Sequence, residues 1–188
     1  MAGVEAWQTY FQVLPDLAAQ PKWSVTAYQT LNGFFRHLLV FDAAWNPAPL
    51  VDAPGLGRWL PHLSFVAITG LGAYMAIKKQ DQPDLVFAVF VIANILLSPF
   101  SSDYHYTLML LPLAILAAWV QKQPGPWPWL VLGLSVVLMA NPLPHQSPRL
   151  AAGALALLAY PKLYGAVLLG GLACWAWRSP PSANPAPA

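Results

Sequence analysis

Five apolar runs dominate the sequence and constrain what the chain can fold into. They cover residues 59–77, 85–97, 106–120, 127–140 and 163–177. Charged residues make up 9% of the chain, and all of them lie outside the runs, whereas a soluble globular domain has about 25%. Polar surface is therefore too scarce to coat a soluble bundle of these helices. We predict an all-α, polytopic integral membrane protein with about five transmembrane helices.

The composition also excludes several other classes of protein. Hydrophobic residues are 57% of the chain, the net charge is +2, and Cys174 is the single cysteine. These values do not fit a disordered chain, a disulfide scaffold or a nucleic-acid-binding protein. Because each run is shorter than the roughly 20 residues of a comfortable span, the helices must extend into their flanks or thin the bilayer.

The basic residues give a modest indication of sidedness. Lys78, Lys79, Lys122 and Arg178 lie in three short segments next to the runs, while the other five basic residues are spread through longer stretches. Density close to the span ends favours a cytoplasmic position for the short segments. Three longer segments are then extracytoplasmic: residues 1–57, 98–104 and 141–161.

This topology divides the chain into three parts. Residues 1–58 form an extracytoplasmic loop with amphipathic helices, residues 59–178 the transmembrane bundle, and residues 179–188 a disordered, Pro/Ala-rich cytoplasmic tail. In the first part, Trp7, Phe11, Leu14 and Leu17 recur at helical spacing, which predicts an interfacial helix. A second helix is expected over residues 31–41, and residues 149–160 are expected to lie flat before the last run.

The N-terminal sequence conflicts with an independent export of this loop. No basic segment followed by an apolar stretch comes after Met1, so no signal peptide is predicted. The simplest interpretation is that the chain is the C-terminal part of a longer protein. Upstream spans of that protein would carry the first loop across the membrane.

The densest polar cluster at a membrane boundary covers residues 98–106, with the sequence SPFSSDYHY. Ser101 or Ser102 is a suitable N-cap for the helix that follows, with Asp103 and His105 in its first turn. The free N–H groups of an outward-facing helix start suit a phosphate, and His105 adds a donor that exchanges protons near neutral pH. The alternative is that Asp103 only caps the helix and His105 lies among lipid headgroups.

A second cluster covers residues 28–37, with the sequence YQTLNGFFRH. Asn32 and Arg36 are four residues apart and share a helix face, and Gln29 lies one turn earlier on it. Such a ridge suits a sugar hydroxyl or a phosphate, and Arg is apt for the phosphate. The alternative is an interfacial helix whose Arg contacts lipid headgroups.

Other polar residues carry less information. Asp103 and His105 are too few for a metal site, and no further acid lies nearby in the sequence. Asn94 lies inside an apolar run, where we expect it to bond a neighbouring helix.

Together, the two clusters resemble the C-terminal half of glycosyltransferase family 87, which comprises bacterial, polyprenol-phosphate-sugar-dependent enzymes of the GT-C class. Gln29, Leu31 and Gly33 match the family's first motif, with Arg36 shortly after it. The matches to the second motif are Ser98, Pro99, Ser101 and His105. Tyr28, Thr30, Ser102 and Tyr104 depart from the two patterns, and Tyr104 replaces the first His of a pair.

The resemblance implies a partial GT-C fold in a bacterial plasma membrane, with its active face extracytoplasmic. It implies transfer of a hexosyl group, such as mannosyl, from a polyprenyl-phosphate sugar to a lipid or glycan acceptor. The donor is a substrate, and no cofactor or metal is implied. The family's catalytic acid lies in the N-terminal half, so this chain is expected to contain no catalytic residue and to be inactive alone.

The two clusters, taken with the resemblance, predict five substrate-binding residues: Gln29, Asn32, Arg36, Asp103 and His105. Arg36 and His105 are expected on the donor phosphate, and Gln29 and Asn32 in the sugar or acceptor pocket. Expected partners are membrane lipids, the donor, and the N-terminal half or a partner subunit, with no nucleic acid. Two alternatives stay open: a non-enzymatic membrane scaffold and, ranked last, a small transporter. A transporter needs ionisable groups near the bilayer centre, and the apolar runs contain almost none.

Overall fold

The computed structural model describes residues 3–18, 25–78, 82–99, 101–141, 148–150 and 152–179. In this part of the chain the regular structure is helical, and the only bridge outside helices is an isolated antiparallel one between Asp42 and Asn46. The all-α prediction is therefore confirmed. The α-helices are α1 Val4–Ala18, α2 Leu31–Leu39, α3 Pro54–Lys78, α4 Pro83–Leu97, α5 Leu110–Val120, α6 Trp127–Met139 and α7 Pro161–Arg178. Three 3₁₀ helices cover Asp103–Met109, Pro148–Leu150 and Gly153–Ala159.

Each predicted apolar run is helical, and local sequence explains several of the helix starts. α4, α6 and α7 carry a proline at their first or second position, where the missing N–H costs nothing because helix-start N–H groups have no intrahelical acceptor. The helix expected over residues 31–41 ends at Leu39, since Val40 is extended. The segment expected to lie flat before the last run contains the 3₁₀ helices Pro148–Leu150 and Gly153–Ala159, and the second of them is bent by 56° from α7.

The core lies around α4 and α7. α4 packs against α3, α5 and α7, and α6 packs along α7. Leu169 and Ala173 of α7 and Ala88 of α4 are fully buried. α6 and α7 approach closely at Gly165, where a Cβ atom would lie 2.7 Å from the Ser135 carbonyl oxygen.

The three segments predicted to share one side of a membrane lie together at one end of the bundle. Three hydrogen bonds join them: Asn32 Nδ2 to the Pro99 carbonyl at 3.1 Å, Gln29 Nε2 to the Ala159 carbonyl at 2.8 Å, and Gly153 N to the Ala48 carbonyl at 3.1 Å. The predicted first loop is thus tied to the helical bundle rather than separate from it. Residues 180–188 of the predicted tail lie outside the described residues, and so does the side chain of Leu17.

Among the described residues, α3 is the only helix that is by itself long and apolar enough to cross a membrane. The bent pair Gly153–Ala159 and Pro161–Arg178 would be a second span if counted as one. Pro83–Leu97, Tyr104–Val120 and Trp127–Met139 are apolar but shorter. A 15-residue helix is about 22 Å long, less than the roughly 30 Å hydrocarbon core. The number of spans and the multi-pass topology therefore stay a prediction.

Candidate functional site

The two polar clusters identified in the sequence meet at one end of the bundle. The Asn32 carboxamide of α2 donates from Nδ2 to the Pro99 carbonyl at 3.1 Å, and the Tyr106 hydroxyl donates to the Gln29 carbonyl at 2.6 Å. Each bond crosses more than sixty positions of sequence. The residues 28–37 and 98–106 therefore form one locus, which sequence spacing alone could not show.

Gln29 is a structural member of this locus. Its side chain is fully buried, and its Nε2 donates to the carbonyls of Thr26 at 2.6 Å and Ala159 at 2.8 Å. Its Oε1 has no hydrogen-bond partner within the described residues. The carboxamide thereby ties the start of α2 to the segment before α7. In this conformation it is shielded from any substrate.

Asn32 and Arg36 lie one turn apart on α2, which Thr30 caps by accepting from the Gly33 N–H at 3.1 Å. The Arg36 Nε donates to the Asn32 Oδ1 at 3.2 Å, so the Asn32 carboxamide contacts Arg36 on one side and Pro99 on the other. Arg36 is half-buried, and burial lowers the pKa of its guanidinium. Arginine nevertheless keeps its charge at physiological pH.

Arg58, at the start of α3, is a second and exposed cation near Arg36, and its sequence pattern did not single it out as a site residue. Its positive charge further lowers the pKa of Arg36, which means that the two guanidinium groups lie within electrostatic range. Two backbone hydrogen bonds hold the segment before α3 against the end of α2. Val51 N donates to the Leu38 carbonyl, and Ala53 N donates to the Leu39 carbonyl. The sequence signal that could have identified Arg58 is its position immediately before a predicted apolar run.

The His105 side chain caps the start of the 3₁₀ helix Asp103–Met109. Ser102 is the N-cap, its side chain accepts from the His105 backbone N–H, and the His105 ring Nδ1 accepts from the Ser102 N–H at 3.0 Å. An accepting Nδ1 places the proton of the neutral ring on Nε2. The ring lies on Tyr104, with centroids 4.1 Å apart. The Asp103 side chain lies outside the described residues.

A buried polar pair supports the same locus and was missed in the sequence. The His37 Nδ1 and the Tyr160 hydroxyl are 2.9 Å apart, and the Tyr160 hydroxyl also donates to the Gly33 carbonyl at 3.3 Å. Both side chains are buried. The sequence signal was weak, because Tyr160 appears only as an aromatic residue before Pro161.

An apolar groove extends from this locus between α3, α4 and α7, with a volume of about 400 Å³. Leu31 of α2 and Leu96 of α4 line its end nearest the polar cluster, and Val167 and Cys174 line it along α7. Seven residues of helix separate Val167 from Cys174, which is about 10 Å. The groove can therefore hold an extended hydrocarbon segment below the polar cluster.

Comparison with known proteins adds no relative. No family model, no curated protein and no solved structure matches the chain. Among the described residues, no three His, Cys, Asp or Glu side chains lie together in a way that could hold a metal ion. The resemblance to glycosyltransferase family 87 stays a prediction based on motifs.

Proposed function

We propose that this chain is the C-terminal part of a membrane glycosyltransferase of the GT-C class in a bacterial plasma membrane. It binds a polyprenyl-phosphate hexose, mannose in the foremost case, and presents that donor to an acceptor on the extracytoplasmic face. The single observation that carries the proposal is the Asn32 carboxamide. It joins Arg36 of one motif to Pro99 of the other, with contacts of 3.2 and 3.1 Å.

The locus has the charge that a phosphate ester requires. Arg36 is half-buried, and the exposed Arg58 is near enough for its charge to add to the lowering of the Arg36 pKa by burial, so the two like charges repel each other. An anionic phosphate would relieve this repulsion, and a guanidinium matches phosphate oxygens with parallel N–H donors. Asn32 positions the Arg36 side chain, and His105 offers the proton on Nε2.

The apolar groove supplies the second requirement of a lipid-linked donor. It starts at Leu31, the residue next to Asn32, and continues between α3, α4 and α7. A polyprenyl phosphate has an anionic end and a long apolar chain. The cationic locus and the groove therefore match the two ends of one molecule.

The exposed apolar surface favours a membrane location for this chemistry. Of the 25 residues in α3, only Gly57, Gly72 and Met75 are buried, whereas large side chains such as Val66 and Ile77 are about 70% exposed. A core helix of a soluble protein would be mostly covered. Contact with lipid accounts for this surface without another protein.

The reaction divides between this chain and the expected N-terminal half. The acceptor hydroxyl attacks the anomeric carbon of the donor sugar, a carboxylate of the other half takes the hydroxyl proton, and the bond to the phosphate oxygen breaks. The residues of this chain bind the leaving phosphate and stabilise the charge that develops on it. No catalytic base is assigned to this chain.

A transfer assay in membranes that contain the whole enzyme tests the proposal. The assay follows labelled mannose from polyprenyl-phosphate mannose into extractable product. Because a charge-assisted hydrogen bond is lost, Arg36→Gln should reduce transfer by about tenfold or more. Arg149→Gln removes an exposed arginine outside the locus and is the matched control. Normal transfer by a normally expressed Arg36→Gln enzyme contradicts the proposal.

A non-enzymatic scaffold is the second candidate, and one observation favours it. Gln29, His37 and Tyr160 direct their hydrogen bonds to groups of this chain, as expected of a locus that serves folding. A scaffold would retain complex assembly but show no dependence of transfer on Arg36. The same assay therefore distinguishes the two functions.

A further inference from the structure

The end of the bundle opposite the candidate site carries a row of aromatic rings. The helices α3, α5 and α7 end there, and α6 begins there after a short connection. The ring centroids of Tyr74 and Trp177 are 5.6 Å apart, and those of Trp119 and Trp175 are 5.8 Å apart. These contacts hold the end of α7 between the ends of α3 and α5.

A cation follows the ring of each helix by about one turn. Lys78 ends α3, Arg178 ends α7, and Lys122 follows the last residues of α5. Each lies three or four residues beyond an aromatic residue of the row, which is about 5 to 6 Å along a helix. All three side chains are exposed. Because the rings bring the three helix ends together, they also bring three positive charges to one end of the bundle.

Few negative charges oppose these cations. The segments that carry them, residues 74–78, 119–129 and 175–179, contain no acid. Asp84 is an exposed acid at the same end, in the first turn of α4, where the helix N-terminus stabilises its charge. Lys79 and Asp81, whose charges are opposite, lie outside the described residues. Three positive charges therefore face one negative charge in the described part of this end.

The order of rings and cations matches an anionic phospholipid. Such a lipid has a negative phosphate at the membrane surface and its acyl chains below it. Lys and Arg next to the ends of membrane helices attract anionic headgroups, and Trp and Tyr rings favour the boundary between headgroups and acyl chains. Tyr74 and Trp175 are exposed and lie on the bundle side of the cations. A soluble anion would match the cations but would leave these rings in water.

We propose that the ends of α3, α5 and α7 form a binding surface for anionic phospholipids. Lys78, Lys122 and Arg178 contact the phosphate, and Tyr74 and Trp175 contact the glycerol backbone and the first acyl carbons. In the predicted topology this surface faces the cytoplasmic leaflet. The proposal rests on the membrane location given under the proposed function, but it requires neither a sugar donor nor transfer.

Photolabelling of the full chain in phosphatidylcholine nanodiscs tests this surface. Two probes carry the same diazirine at the first carbons of an acyl chain, one on phosphatidylglycerol and the other on phosphatidylcholine, and mass spectrometry locates the label. We expect peptides that contain residues 116–126 and 172–179 to receive about tenfold or more label from the phosphatidylglycerol probe. Salt at about 1 M should reduce this preference, because it screens exposed charges.

Three variants and a control make the test specific to charge at this end. Lys122→Gln and Arg178→Gln each remove one exposed cation, and each should lower the preference about fivefold. Lys122→Arg keeps the charge and should keep the preference. Arg149→Gln removes an exposed cation at the opposite end of the bundle and is the matched control.

The outcomes separate this proposal from the proposed function. Equal label from the two lipids at this end, or an unchanged preference in both Gln variants, would overturn the lipid surface. The cations would then act only on the helix C-termini. If phosphatidylglycerol labels this end but the Arg36→Gln enzyme transfers sugar normally, the lipid surface stands and the glycosyltransferase proposal fails. If Arg36→Gln loses transfer and the label shows no preference, the reverse holds.

Discussion

The Asn32 Nδ2 donates to the Pro99 carbonyl oxygen at 3.1 Å, across 67 positions of sequence. The same carboxamide accepts from the Arg36 Nε at 3.2 Å through its Oδ1. One side chain therefore holds a cation of α2 against the connection between α4 and the following 3₁₀ helix. This relationship creates the candidate site, because it joins two polar clusters that are separate in the sequence.

The two roles of His105 can be separated by substitution. His105→Gln should retain the capping box, since Gln at the third helical position can accept from the Ser102 N–H as the imidazole does. His105→Ala loses both this cap and the imidazole, and we expect it to destabilise the fold by about 1 kcal/mol. Thermal unfolding in detergent checks the stability, and the transfer assay checks the function.

We expect His105→Gln to unfold at nearly the wild-type temperature but to transfer sugar more slowly. If His105→Gln transfers sugar at the wild-type rate, the imidazole only caps the helix, and the proposal that it contacts the donor phosphate is refuted.

The Tyr160 hydroxyl stabilises the buried end of α2. Tyr160→Phe removes its contact with the His37 Nδ1 and its bond to the Gly33 carbonyl. Because these groups are buried, the free energy of unfolding should fall by about 1 to 3 kcal/mol. Tyr104→Phe is the control, since Tyr104 is 69% exposed. Equal stability of the two variants would show that the buried hydroxyl contributes nothing.

Gly165 sets the distance between α6 and α7. An alanine Cβ there would lie 2.7 Å from the Ser135 carbonyl oxygen, and a backbone atom cannot move aside alone. Gly165→Ala should therefore cost about 1 to 3 kcal/mol of stability. Gly171→Ala, on the same helix, meets no atom within 4 Å and should be neutral or stabilise by about 0.5 to 1 kcal/mol. Chemical unfolding of both variants measures the difference, and similar values would contradict the close packing.

Gln29 is predicted to act on stability through its buried carboxamide. Gln29→Leu removes the donor to the Thr26 and Ala159 carbonyls, and leaving these acceptors unpaired should cost about 1 to 3 kcal/mol. Gln8→Leu, on exposed α1, is the control. Stability is measured as above. A wild-type unfolding temperature for Gln29→Leu would contradict a stabilising role for these hydrogen bonds.

The sequence predicted the helices well because a long apolar run is a local signal. Each apolar run is helical, and Ser102 caps the helix before α5 as expected. For the segment before α7 the sequence indicated no more than a flat orientation, whereas in the structure a 3₁₀ helix there places Ala159 and Tyr160 against the start of α2. Such a choice depends on tertiary contacts.

The candidate site was predictable only in part for the same reason. Asn32 and Arg36 follow from helical spacing, and their contact is observed. The burial of Gln29, the presence of Arg58 and the His37–Tyr160 contact depend on which segments meet in space. Asn94 shows the same limit, because it was expected to bond a neighbouring helix and is instead exposed on the surface of α4.

The central claim is that the locus around Arg36 binds the phosphate of a lipid-linked sugar. The most direct measurement is native mass spectrometry of the chain in nanodiscs, with equal amounts of a polyprenyl phosphate and the corresponding neutral polyprenol. We predict that the phosphate binds at least about tenfold more tightly, since only it can pair with a guanidinium. Equal binding of the two lipids, or no binding of either, would contradict the claim.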